Sequence, residues 1–151
     1  MNPLPPWKPS AYHPPALVLH VSLLLEWSFA RPIGQYANDV MLKMPRLVSA
    51  VPTSWSLQLA EAALTKSRAG QGAPAGSDQC RAWVYSLQIV IDSETPALAW
   101  TEILDLARSR AVSIDDAAYL ELALRLNLPL ATTDATLTRA ATAAGVPIFT
   151  P

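Results

Sequence analysis

Residues 113–134 read SIDDAAYLELALRLNLPLATTD, and this stretch decides the fold. Ser113 stands where a helix N-cap belongs, and Tyr119, Leu122, Ala123 and Leu126 then recur at helical spacing. The spacing predicts a helix from Ser113 to Asn127, then a short buried strand, Pro129 to Thr133. Asp134 precedes a further helix, Ala135 to Ala144, which Gly145 should end before a last strand from Val146 to Phe149. A helix leading into a buried strand is the unit of a parallel α/β sheet.

The same alternation extends toward the N-terminus. Thr95-Pro96 places a capping residue before a proline at the first helical position, opening a helix to about Arg110. Leu87 to Asp92, rich in β-branched residues, is a strand preceded by a helix from Asp78 to Ser86. Gly70 to Ser77 (GQGAPAGS) holds three of the five glycines and reads as a loop. Before it runs a long helix, launched by Pro52-Thr-Ser-Trp55 and reaching Ala69, with Trp55, Leu59, Ala62 and Ala63 on one face. Leu47 to Val51 reads as a strand, Gly34 to Met44 and Ser22 to Phe29 as helices, and Ala16 to His20 as the first strand. Ser22 is placed to cap its helix, and Arg31-Pro32 ends it. Residues 1–15 (MNPLPPWKPSAYHPP) contain six prolines and form an extended N-terminal arm, leaving 16–151 as one domain. Five short strands separated by helices predict an α/β fold, a three-layer α/β/α sandwich around a parallel five-stranded sheet.

Composition narrows the function. The 151 residues carry 11 Lys+Arg against 12 Asp+Glu, 51% are hydrophobic and 15% charged, so the chain should bury a core. Scattered basic residues and a net charge of −1 argue against a strongly electrostatic nucleic-acid binder. A single cysteine, Cys80, excludes an internal disulfide and a cysteine zinc site, which suits the cytoplasm, and it reads as buried and inert. No secretion signal is visible, and Leu17 to Ala30, interrupted by His20 and Glu26, is too short for a membrane span.

Ligands of parallel sheets gather at the carboxyl ends of strands. Those positions hold His20, Asp92 and Asp134, and Asp115 and Asp116 open the helix between the strands ending at Asp92 and Thr133. No GxGxxG, GxxxxGK[ST] or GxSxG is present, so dinucleotide, P-loop and α/β-hydrolase sites have no support.

The stretch from Asp116-Ala-Ala-Tyr119 through Leu130-Ala-Thr-Thr-Asp134 to Gly145-Val146 resembles the C-terminal half of PIN domains, closest to VapC-type toxins of bacterial toxin–antitoxin pairs. Leu17-Val-Leu-His-Val-Ser-Leu-Leu-Leu-Glu-Trp27 resembles the family's opening strand, normally Val-Asp-Ala-Ser before a helix. Val51-Pro-Thr-Ser-Trp-Ser-Leu-Gln-Leu-Ala60 resembles its Pro-x-x-Trp-x-x-Glu-Val-Ala helix. The resemblance covers nearly everything after the proline arm. It implies an α/β/α fold and an endoribonuclease that clusters three or four carboxylates around Mg²⁺ or Mn²⁺, a hard ion held by oxygen.

Carried over position by position, the resemblance puts His20 where the family has aspartate and Gln58 where it has glutamate, while Asp116 and Asp134 keep the remaining two acids. Ser22 and Thr132 match the polar positions that support them. Asp116 and Asp134 are the residual candidate metal ligands. Gln58 brings an uncharged carbonyl oxygen, and His20 a nitrogen that suits Zn²⁺ or another transition metal better than Mg²⁺. A histidine between two aspartates can instead take up a proton and supply the missing positive charge, since nearby carboxylates favour imidazolium. A core histidine bonded to backbone is the third reading.

Each residue also has a plain reading. Asp116 lies in a capping-box-like Ser113-x-x-Asp116 pattern, with Asp115 the better solvated cap, and Asp134 is a natural N-cap. Gln58 can be a plain polar helix residue, Glu61 one turn later either reaches inward as a substitute acid or, as expected, faces solvent, Ser22 reads as a cap, and Asp92 as a loop residue. Trp27, Trp55, Trp83, Trp100 and Tyr119 read as core or interface aromatics.

The expected function is that of a VapC-like protein with a degenerate metal site, weak or lost RNA cleavage, and a retained interaction role with an antitoxin-type protein or in a homodimer. The competing expectation is an active endoribonuclease using Mn²⁺ or another divalent ion through His20, Asp116 and Asp134 on RNA. A third is an unrelated small α/β domain, which failure of the four positions to converge would establish.

Overall fold

The computed structural model describes residues 13–72 and 75–151. Residues 1–12, most of the expected arm, lie outside the described residues, and His13 to Pro15 take no regular structure. The strands are β1 (Leu17–Leu19), β2 (Val48–Pro52), β3 (Gln88–Asp92) and β4 (Leu130–Ala131), joined in one all-parallel sheet of order β3-β2-β1-β4. The helices are α1 (Val21–Phe29), α2 (Gln35–Lys43), α3 (Trp55–Arg68), α4 (Gly76–Ser86), α5 (Thr95–Leu98), α6 (Glu102–Arg110), α7 (Ile114–Leu126) and α8 (Ala135–Ala144), with a 3₁₀ turn at Met44–Arg46.

β1 and β2 are buried along their whole length, as strands covered on both faces must be. Helices α1, α3 and α4 pack on one another, and α6, α7 and α8 form a second group, with α7 also lying on β1, β2 and β4. Leu17, Leu19, Leu23, Leu24, Trp27, Trp55, Tyr119, Leu120 and Leu130 are among the core side chains. The lone Cys80 is free and buried among them. Among the described residues no helix is long and apolar enough to cross a membrane.

Several expectations need correction. The described sheet has four strands rather than five, because Val146 to Phe149 joins β4 only at one bridge, Leu130 to Ile148. Pro129 and Pro147 lack the N–H groups that a longer ladder would need, so pairing stops after Leu130 N–H to Pro147 O and Phe149 N–H to Leu130 O, each 2.9 Å. The helix expected from Thr95 to Arg110 is two, α5 and α6. Between them Thr101 leaves helical dihedrals (φ −118°, ψ −102°), its hydroxyl competing for local partners at Leu98 O and Glu102. Glu94, not Thr95, precedes α5 as its cap residue. The helix α4 starts inside the expected loop, at Gly76. Of the aromatics read as core or interface, Trp100 lies outside the core at 84% exposure, and Leu126 sits at 39%.

Candidate functional site

The strand order places the site. β1 is followed by strands to one side, β2 then β3, and β4 later returns to its other side, so the order in which strands are added reverses between β1 and β4 while all stay parallel. A crevice forms where adjacent connections diverge in this way. His20 follows β1 there, and Thr132 to Asp134 follow β4.

His20 is extended (φ −83°, ψ 146°) and is itself the N-cap of α1, the role expected of Ser22. Its Nδ1 lies 3.4 Å from the Ser22 N–H, a group that only donates, so Nδ1 accepts and the ring proton sits on Nε2. Nε2 faces Asp116 Oδ1 at 3.3 Å. The Ser22 hydroxyl donates to Nδ1 at 2.8 Å and accepts the Thr133 N–H at 3.0 Å. Thr132 Oγ1 stands 3.2 Å from Ser22 Oγ and 3.1 Å from Nδ1, and accepts the Asp134 N–H at 3.0 Å. Ser22 and Thr132 thus tie β1 to β4 across the switch point.

The four carried-over residues come together only in part. His20 and Asp116 meet directly. Gln58 joins them through Tyr119, whose hydroxyl donates to Gln58 Oε1 at 2.7 Å and whose ring meets His20 edge-on at 4.6 Å between centroids. Gln58 Nε2 donates to Ser54 Oγ at 3.1 Å. Asp134 stands apart: its Oδ1 accepts the Leu137 N–H at 2.7 Å, capping α8. The imidazole therefore does not lie between two aspartates as expected. It turns one N–H edge to one acid, and only the Thr132 hydroxyl links it to Asp134. Asp116 carries its expected cap as well, its N–H donating to Ser113 Oγ at 3.1 Å, while Asp115 and Glu61 are exposed. Beside the network lies a cleft of about 360 Å³ lined by Ser22, Glu26, Lys66, Thr133 and Asp134 among others, but not by Asp116 or Gln58.

A hard divalent ion fits these donors poorly. The Gln58 carbonyl oxygen is engaged by Tyr119, one Asp134 oxygen by a helix cap, and the His20 nitrogen facing Asp116 carries the proton. Among the described residues no group of three or more His, Cys, Asp and Glu side chains is gathered to hold a metal.

Two features went unread in the sequence. Tyr119 is core, as expected, yet its hydroxyl and ring organise the site. Burial pushes its phenol well above the ordinary range, and the Asp115 and Asp116 charges push it further, so it remains a neutral donor. Its position three residues after Asp116, on the same face of α7, was the available signal. Asp92 is no loop residue: it ends β3 and accepts from Arg125 Nη2 at 2.9 Å and from the Thr95 hydroxyl at 2.7 Å. Arg125 also holds Glu121, Nε to Oε1 at 2.7 Å and Nη2 to Oε2 at 3.2 Å, a pair whose four-residue spacing on α7 was visible in the sequence.

No family model and no curated protein matches this chain. Among solved structures it is similar to PAE2754 from Pyrobaculum aerophilum, a crystal structure that it matches with a TM-score of 0.60 at 17% sequence identity. The match covers 83% of this chain and 84% of that one. At such identity the likeness speaks for the fold alone.

Proposed function

We propose that this chain is a PIN-like protein of the VapC toxin type, built as a three-layer α/β/α sandwich. Its divalent-metal site is degenerate, RNA cleavage is weak or lost, and an interaction role with an antitoxin-type protein or a second copy is retained. The observation that carries this reading is His20 at the switch point, Nε2 3.3 Å from Asp116 Oδ1, where the family pattern has an aspartate. Histidine there turns a place that would need a cation into one whose surviving acid is met by an N–H. Gln58, Ser22, Thr132 and Asp134 are likewise occupied by partners within the protein. Removing two of four negative charges removes most of the attraction for Mg²⁺ or Mn²⁺, which need anionic oxygen to offset dehydration.

The test compares wild type with the double variant His20→Asp, Gln58→Glu in Mn²⁺ titration calorimetry, thermal unfolding and RNA cleavage. Wild type is expected to show no Mn²⁺-dependent rise in Tm and no cleavage at millimolar ion, and the double variant to gain Mn²⁺ binding with a higher Tm. Metal-dependent cleavage by wild type would establish the active endoribonuclease instead. A double variant indifferent to Mn²⁺ would break the correspondence with the PIN pattern.

A further inference from the structure

Ser22 does not hold the role its position suggests. It is the second residue of α1, yet His20 caps that helix, and the Ser22 hydroxyl is spent on the imidazole instead. Three side chains then stand in a row: Ser22 Oγ lies 2.8 Å from His20 Nδ1, and His20 Nε2 lies 3.3 Å from Asp116 Oδ1. Hydroxyl, imidazole and carboxylate in that order activate a serine for nucleophilic attack, a constellation recognised by geometry and not by sequence position. Nδ1 accepts and Nε2 carries the proton, so the ring holds the tautomer this requires. The two nitrogens have exchanged the places they take in the common serine hydrolases, which leaves the proton path intact. Tyr119, edge-on against the imidazole, fixes the plane of the ring. Exposure falls in the useful direction as well. Ser22 lines the cleft of about 360 Å³, whereas the imidazole behind it is 8% exposed and does not line the cleft.

We propose that Ser22, His20 and Asp116 form a serine-nucleophile centre that hydrolyses small carboxylic esters bound in this cleft. Leu25, Phe29 and Ala30 give the cleft an apolar wall for the acyl chain, and its volume keeps that chain short. Ser22 Oγ attacks the acyl carbon as its proton passes to Nδ1, and Asp116 stabilises the resulting imidazolium through the Nε2 proton. The Thr133 N–H, 3.0 Å from Oγ on the same cleft wall, and the positive end of α1 favour the negative charge that develops there. The bond from the acyl carbon to the alcohol oxygen then breaks, and Nδ1 gives its proton to the departing alkoxide. In the second half a water molecule, deprotonated by the same Nδ1, attacks the acyl-serine. The carboxylic acid leaves and Ser22 recovers its hydroxyl proton. The sum is ester plus water to acid plus alcohol, with no further reactant. This activity involves neither the RNA nor the divalent ion of the function proposed above, and it stands or falls separately from that reading.

The experiment treats the full chain, in EDTA, with an alkyl fluorophosphonate, whose phosphorus bonds to an activated serine Oγ as fluoride leaves. In parallel it follows the hydrolysis of p-nitrophenyl acetate. Wild type is expected to take up about one adduct per chain by intact mass, mapped to Ser22 by peptide mass spectrometry, and to release a burst of about one nitrophenolate per chain. Ser22→Ala should lose both. His20→Asn keeps an oxygen to cap the Ser22 N–H but has no base, and should slow labelling by about 100-fold or more. Asp116→Asn should slow it by about tenfold or more. Contacts that only tie β1 to β4 would change the Tm of these variants without producing any adduct at Ser22 in wild type. The wild-type adduct needs no variant to fold, so the proposal can fail on that measurement alone. A wild type that takes no adduct, an adduct that maps to another residue, or Ser22 labelled as fast in His20→Asn as in wild type would each overturn it.

Discussion

Two regions of this chain each set two carboxylates near one base, with opposite results. Around Arg125 the acids converge: Glu121 takes two hydrogen bonds from its guanidinium and Asp92 takes a third, with side-chain exposures of 7% and 10%. Around His20 they disperse, Asp116 facing Nε2 while Asp134 caps α8. The difference follows from the base. Guanidinium is permanently charged and offers five donors in a plane, so two buried carboxylates can share it. Imidazole with its proton on Nε2 offers one donor, so the second acid finds its partners in backbone N–H groups. A site designed around a divalent ion would resemble the first case, with anionic oxygens drawn inward. The His20 region resembles a set of caps.

The largest effect is expected where the charge is fixed. Arg125→Met leaves Asp92 and Glu121 buried without a cation and should cost about 3 kcal/mol in urea unfolding at pH 7, the low end of such losses because Arg125 is itself 29% exposed. Burial alone would raise the Asp92 carboxyl, but the hydrogen bonds and charge of Arg125 and the Thr95 hydroxyl outweigh it and hold the group below its ordinary value. A carboxyl depressed in the folded state adds stability above its unfolded value of about 3.9, and that stability is lost as pH falls through the folded value. The gap between wild type and Arg125→Met should therefore narrow as pH drops below about 4. A gap constant from pH 7 downward would show that Asp92 does not depend on Arg125.

A smaller effect is expected at His20, because each of its contacts has a substitute. His20→Leu removes the acceptor for Ser22 and the N–H facing Asp116 and should cost about 2 kcal/mol. His20→Asn keeps an N-cap oxygen within reach of the Ser22 N–H, though not the reach to Asp116, and should cost less than about 1 kcal/mol. Equal losses would mean that the cap on the Ser22 N–H carries nothing, and that the whole effect lies in what both variants lose, the imidazole ring and its contact with Asp116.

How far the sequence led depends on which forces are local. Ser113, Asn127, Asp134 and Gly145 mark their helix ends through side-chain caps or left-handed backbone, and the structure has helix termini at those positions. The strand cores were legible because Leu17 to Leu19 is continuously apolar and Val48 to Val51 is apolar except for Ser49. The last strand was overread, since hydrophobicity alone does not register the missing donors of Pro129 and Pro147. The break at Thr101 was missed because helix propensity through Trp100 is adequate and the competing hydroxyl contacts form only in context. At the site, residue identities were legible but convergence was not. Nothing local says that Asp134 will spend an oxygen on Leu137, or that Tyr119 will stand between Gln58 and His20.

Tyr119 allows the smallest and most discriminating change, because it shares α7 with Glu121 and Arg125 and so belongs to both neighbourhoods through one helix. Tyr119→Phe keeps the buried ring against His20 and deletes only the hydroxyl that donates to Gln58 Oε1. Gln58 is half-buried, so water can reach its freed oxygen, and the loss should be about 1 kcal/mol rather than that of an orphaned buried acceptor. If the two clusters are independent, Tyr119→Phe and Arg125→Met combined should equal the sum of the singles within about 0.5 kcal/mol. A larger discrepancy would mean that α7 shifts as a rigid body when either end is released. The dispersal of acids around His20 would then depend on where Arg125 anchors the helix, not on the chemistry of the imidazole.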